Sequence, residues 1–154
     1  MKKYSFLLAV LLSVLFTSCL KDGLDEGELS TECNVINVKF EHRWAVEMGT
    51  PGMYMLNFKE MSVVKTFNEE QGVINVTITV PQTDGNYPAE QRIATVLSNL
   101  ACSLEVSRAA NVNPLGGAPV LGTLGDYSLE RIYRVTSASG KYKDWTVIVS
   151  EFIK

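Results

Sequence analysis

The sequence holds a single histidine, His42, so any catalytic triad that needs an imidazole would have to be assembled around one residue. His42 shares its alternating parity with apolar neighbours, which assigns it to the inward face of a strand. Cysteine is nearly as scarce. Cys19, Cys33 and Cys102 lie far apart, whereas metal sites need clustered His, Cys or carboxylates. No glycine-rich phosphate loop is present, since Gly116-Gly117 lacks the rest of that motif. The 14 Lys and Arg form no cluster and are outnumbered by 17 Asp and Glu, so the chain lacks the electrostatic footprint of a nucleic-acid binder. No two carboxylates single themselves out as a glycosidase pair. The expectation is a protein with no cofactor, no metal and no catalytic residues.

A leader is present. Lys2 and Lys3 precede an apolar run over residues 6–16, and small residues Thr17 and Ser18 stand directly before Cys19. A run of eleven residues falls short of the ~20 that span a bilayer as a helix, which favours a signal peptide over a membrane anchor. Phe16-Thr17-Ser18-Cys19 resembles the lipobox of bacterial lipoproteins, with Phe where Leu is commonest. That resemblance implies cleavage after residue 18 and acylation of Cys19, whose buried methylenes contribute about 0.8 kcal/mol each. Removing a leader that carries two lysines takes the net charge from −3 to −5. Residues 19–33 then form an acidic tether with no hydrophobic period, carrying Asp22, Asp25, Glu26 and Glu28. A Lys/Asp/Glu-rich stretch after the lipidated Cys resembles the export signal of surface-exposed Bacteroidetes lipoproteins. A plain solvated linker is the competing reading. Fully extended, the tether reaches roughly 45–50 Å.

The rest, residues 34–154, is long enough for one core. Its pattern is period two almost throughout. Ile36, Val38, Phe40, His42 and Trp44 alternate on one face of a first strand. Tyr54, Leu56 and Phe58 suggest a second, and residues 62–67 a third. Ile74, Val76, Ile78 and Val80 mark the clearest strand, stopped by Pro81. Residues 89–100 are ambiguous, because Ile93, Val96, Leu97 and Leu100 fit helical spacing. Alternation returns over residues 100–106. Residues 109–125, rich in Gly, Pro and Asn, read as a long connection with a short edge strand near Val120. A hairpin closes the chain, with Tyr133 and Val135 on one arm, Trp145, Val147 and Val149 on the other, and Gly140 in the turn. About seven short strands with turns between them predict an all-β, two-sheet sandwich. By parity Cys102 looks inward and Cys33 outward, so two free cysteines are expected rather than a disulfide.

The closing hairpin, with Gly125-Asp126-Tyr127-Ser128 before Tyr133-Arg-Val-Thr-Ser and Trp145-Thr-Val-Ile-Val149, resembles that of immunoglobulin-like and cadherin-like domains of Bacteroidetes lipoproteins. Ile74-Asn-Val-Thr-Ile-Thr-Val-Pro81 is similar to a strand in the same domains, and residues 110–114 fit their approach to the Asp-aromatic-Ser turn. The resemblance implies an immunoglobulin-like sandwich, some of whose relatives serve polysaccharide utilisation, and it transfers no catalytic set. It motivates a lipid-anchored outer-membrane module, displayed at the cell surface or facing the periplasm. Its expected partners are the membrane, through the N-terminal lipid, and a polysaccharide. A structural module that contacts other envelope proteins through exposed edge strands is the alternative. Tyr87 and Tyr142, placed in loops or turns, are the candidate glycan-contact residues.

Overall fold

The computed structural model describes residues 28–154; the expected signal peptide, the expected lipidation at Cys19 and the first part of the expected tether lie outside the described residues. Among the described residues nine strands form two sheets. In chain order they are β1 (Val35–Glu47), β2 (Tyr54–Glu60), β3 (Ser62–Asn68), β4 (Val73–Thr79), β5 (Leu100–Val106), β6 (Asn111–Leu115), β7 (Leu124–Gly125), β8 (Arg131–Thr136) and β9 (Tyr142–Ile153). One sheet runs β2-β1-β5-β7 and the other β3-β4-β9-β8-β6. The two-sheet all-β sandwich read from the alternation is the architecture found. Every pairing is antiparallel except β4 with β9, which is parallel. Among the described residues no helix is long and apolar enough to cross a membrane.

The core lies between the sheets. Val38 and Phe40 of β1, Leu100 and Cys102 of β5, and Ile74, Val76 and Ile78 of β4 meet Tyr133, Val135, Trp145 and Val147 of the closing hairpin, all fully buried. Trp145 supplies the largest share of apolar burial, worth roughly 2–3 kcal/mol on its own. Its indole N–H also donates to the Cys33 carbonyl at 2.8 Å, which fixes where the chain enters the sandwich. The hairpin turn behaves as its sequence requires: Gly140 takes φ +85°, a conformation that side chains with a Cβ avoid.

Several expectations are corrected. Ile36 is turned to solvent while Val35 is buried, because Val35 pairs with Val106 but Asn37 with its neighbour Glu105. This bulge leaves Ile36 as the extra residue and shifts the strand's parity by one. The same shift brings Cys33 inward. Both described cysteines are free, and they sit at different levels: Cys102 opposite Phe40, Cys33 beyond the Val35–Val106 end of the ladder. Some six strand positions, roughly 20 Å, separate those levels, too far for a disulfide. Residues 109–125 contain two strands, β6 and β7, and Val120 is exposed in neither. The ambiguous stretch forms a short helix, α1 (Ala89–Ala94), and one 3-10 turn over Leu97–Asn99. Ile93 faces water, because α1 caps the end of the sandwich instead of packing into it.

Strand β1 has two halves with different neighbours. Residues 35–41 pair with β5 on one side, and residues 41–47 pair with β2 on the other. The upper half is therefore a two-stranded ribbon that runs past the end of β5. Thirteen residues make β1 about 43 Å long, so the ribbon tip stands at the pole opposite the point where the N-terminal segment enters. The loop carrying α1 and the end of β9 share that far pole: the Lys154 ammonium donates to the Ile93 carbonyl at 2.9 Å.

Candidate functional site

The far pole carries a cleft of about 390 Å³ between the ribbon and the loop that follows β4. Its ribbon wall is set by register. Trp44 pairs with Asn57 and Val46 with Met55, so these four share the inner face. The opposite wall is Asn86 and Pro88, and the cleft opens beside Leu56 and Phe58 along β2.

A tight turn builds that opposite wall. Asp84 and Tyr87 exchange backbone hydrogen bonds, each 3.1 Å, around Gly85-Asn86, and the Asp84 carboxylate accepts from the Asn86 amide at 2.8 Å. Asp and Asn favour such turns because their short side chains bond to the backbone two residues on. The turn holds Asn86 at the cleft mouth and drives Tyr87 inward. Tyr87 has 0 % exposure, which corrects the loop exposure expected of it; its hydroxyl bonds to Thr95 Oγ1 at 2.6 Å. Lys59 ties the ribbon to this turn by pairing with Asp84. The Lys59 ammonium, aided by the Asn86 amide, holds the Asp84 carboxyl below the usual carboxylate range.

Behind Trp44 lies an aromatic stack. The His42 ring is nearly parallel to the indole, 20° apart with centroids at 5.5 Å, and the Tyr87 ring meets the indole at 5.9 Å. His42 is inward, as its parity requires. Its Nε2 meets Gln91 Oε1 of α1 at 3.1 Å, whereas Nδ1 is buried without a partner. The stack fixes the indole plane, so Trp44 is a rigid apolar wall with one face left to the cleft. Aliphatic Val46 and Met55 extend that wall, and the Asn57 and Asn86 amides offer donors and acceptors across it.

Tyr142 lies elsewhere. It opens β9 at the pole where the N-terminal segment enters, eleven residues from Ile153 and so about 36 Å from the cleft's end of the strand. Its side chain is exposed, but the Arg134 guanidinium covers one ring face at 4.1 Å while bonding the Asp144 carboxylate at 2.7 and 2.9 Å. The two candidate tyrosines are thus not brought together. The cleft residues Trp44, Asn57 and Asn86 were missed as a site. The signal available in the sequence was a tryptophan at the far end of a long strand facing a second strand that carries an amide.

Chemistry at other buried polar groups is muted. The Tyr127 and Tyr133 hydroxyls meet at 3.2 Å, and Tyr133 donates to the Pro119 carbonyl at 2.9 Å. Burial pushes both phenols up and raises the Cys102 thiol to about 12, which makes it a poor nucleophile. Among the described residues no three His, Cys, Asp or Glu side chains gather into a set able to hold a metal ion.

Comparison with known proteins adds the following. A crystal structure of a Bacteroides fragilis protein, described by its name as secreted, superimposes with a TM-score of 0.72 at 32% sequence identity, covering 80% of this chain and 97% of that one. No curated protein matches. The model of the DUF5018-related family matches residues 35–148, from the first residue of β1 well into β9. The chain belongs to the DUF5018-related family.

Proposed function

We propose that this protein is a non-catalytic binding module outside the cytoplasm, held to the outer membrane by a lipid on Cys19, and that the far cleft takes a glycan. The observation that carries the ligand class is the composition of the cleft. One flat indole, backed by His42 and Tyr87, stands beside the Asn57 amide and across the cleft from Asn86. Sugar rings present an apolar C–H face and a rim of hydroxyls, which such a surface complements. Support for the location comes from the lipobox-like Phe16-Thr17-Ser18-Cys19 and from the secreted description of the similar Bacteroides fragilis protein. A cleft at the pole opposite the tether faces away from the membrane, where a polysaccharide would arrive.

Both sheets and the core lie inside residues 28–154, so that segment serves as the test protein. Affinity electrophoresis through gels cast with host and plant polysaccharides should retard it with one class of polymer. Trp44→Ala should release it, since the lost apolar contact corresponds to about a 10- to 100-fold weaker complex. Migration unchanged in every gel would reject the glycan reading. The anchor is tested separately: labelled palmitate should enter the full-length chain in cells and fail to enter Cys19→Ala.

A further inference from the structure

The outer face of the ribbon differs in chemistry from the cleft. Tyr54, Leu56 and Phe58 pair with Glu47, Ala45 and Arg43 and so stand in one row on the outer side. They are 64, 65 and 62 % exposed. An aromatic–leucine–aromatic row with no amide beside it suits polypeptide better than sugar. Along the row the charges cancel within the chain, Glu41 with Arg43 at 2.9 Å and Glu60 with Lys39 at 3.3 Å, and Glu47, whose carboxylate accepts from the Gly52 amide at 3.3 Å, stands at its tip beside Tyr54. An uncharged, apolar partner is what this row complements.

The backbone of the same residues is free. The Met48 N–H donates to the Met53 carbonyl and the Met61 N–H to the Phe40 carbonyl, each at 2.8 Å, and both lie on the β1–β2 register. Hydrogen-bonded pairs alternate along an antiparallel ladder, so Met55, Asn57 and Lys59 bond to β1. Tyr54, Leu56 and Phe58 therefore turn their amides and carbonyls to the open edge, where β2 ends the sheet. The usual protections of an edge are missing: β2 has no proline and no bulge, and its one lysine points inward to Asp84. Edge strand β6 carries Pro114 and edge strand β7 has two residues, whereas edge strand β3 is as unprotected as β2 but exposes Ser62, Val64 and Thr66 in place of large apolar side chains.

We infer that the open edge of β2 accepts an extended, uncharged segment of a partner protein as an added strand, its alternate apolar side chains continuing the Tyr54–Leu56–Phe58 row. Area decides between this and simple face-to-face docking. Three large side chains about two-thirds exposed offer roughly 300–450 Å², about half of the ~800 Å² per partner found in stable complexes. The main-chain hydrogen bonds of strand addition supply what the apolar area does not. A second copy of this chain is a poor occupant. Pairing β2 with β2 about a two-fold axis through Leu56 is antiparallel and sends the two N-terminal segments from opposite ends. Chains anchored in one membrane could meet that way only by lying flat along it, which would turn the cleft from the outward direction of the reading above.

The test uses residues 28–154 and an acetylated, amidated heptapeptide of alternating valine and threonine, followed by amide hydrogen exchange. At millimolar peptide the Tyr54, Leu56 and Phe58 amides should slow by about tenfold or more, with Met55 and Asn57 unchanged. Leu56→Pro removes one outward donor and leaves the β1 ladder intact, so it should abolish the effect. Leu56→Lys keeps the donor, places a charge in the row and should weaken the effect if the proline variant misfolds. Equal exchange with and without peptide overturns the inference. Protection that grows with protein concentration in the absence of peptide also overturns it, and assigns the edge to a second copy. A glycan result of either sign leaves this readout untouched.

Discussion

Gly72 sits where β4 begins alongside β9, and replacing it tests how closely those strands must approach. Its φ is +65°, and an added Cβ would stand 2.4 Å from the Asp144 carbonyl oxygen. That position is held from both sides, because the Gly72 carbonyl accepts the Thr146 amide at 2.7 Å. Gly72→Ala therefore meets two penalties: about 1–2 kcal/mol for a left-handed conformation, and about 1–3 kcal/mol for backbone displaced in a packed region. Gly140 isolates the first. It has φ +85°, and its Cβ would meet nothing within 4 Å. Urea or thermal unfolding of residues 28–154 should place Gly140→Ala about 1–2 kcal/mol below the parent and Gly72→Ala about 2–5 kcal/mol below. At roughly 4 °C per kcal/mol for a domain of this size, the gap between the variants should be several degrees. If the two lie within about 0.5 kcal/mol of each other, close approach of the backbones is not what requires glycine at position 72.

Trp145→Phe removes the indole donor and leaves the Cys33 carbonyl short of a partner, so unfolding should show a loss of about 2–4 kcal/mol. Alkaline titration should reveal the buried thiol: Cys102 holds its proton up to about 12 when folded and releases it near 9 when unfolded. The folded state then binds more protons between those pH values, and stability falls as pH rises through them. In Cys102→Ala that fall should be shallower by up to about 1.4 kcal/mol per pH unit, and identical slopes would refute the assignment. Asn57→Ala should weaken glycan retardation by about tenfold with Tm shifted by less than about 3 °C.

The alternation of Ile74, Val76 and Ile78 and of Trp145 and Val147 was legible because one face of each strand meets the core. The bulge at Ile36 was not, since an apolar residue facing water still satisfies a period-two pattern by eye. Tyr54, Leu56 and Phe58 carry the same pattern for a different reason. Their row faces solvent, so periodicity marks the strand without telling which of its sides meets the core. Tyr87 was obscured by its neighbours: Asp84, Gly85 and Pro88 signal a loop, and only the Asp84–Tyr87 turn drives that side chain beneath it. A cleft assembled from Trp44 and Asn86, 42 positions apart, depends on where the β4–β5 connection folds back, which local pattern does not encode.

Strand β1 is one unbroken length of backbone from the N-terminal entry to the ribbon that walls the cleft. Tension applied between an anchored N-terminus and a captured ligand would travel straight down it. The share of the load borne by the Asn86 and Pro88 wall returns to β1 through its ladder with β5, which runs from Val35 to Glu41 past the bulge at Ile36 with hydrogen bonds perpendicular to that pull. Such a ladder is loaded in shear: all its bonds share the force at once, and no end bond can be peeled open alone. The domain would hold its grip under load as a lap joint does, with strength set by the length of overlap.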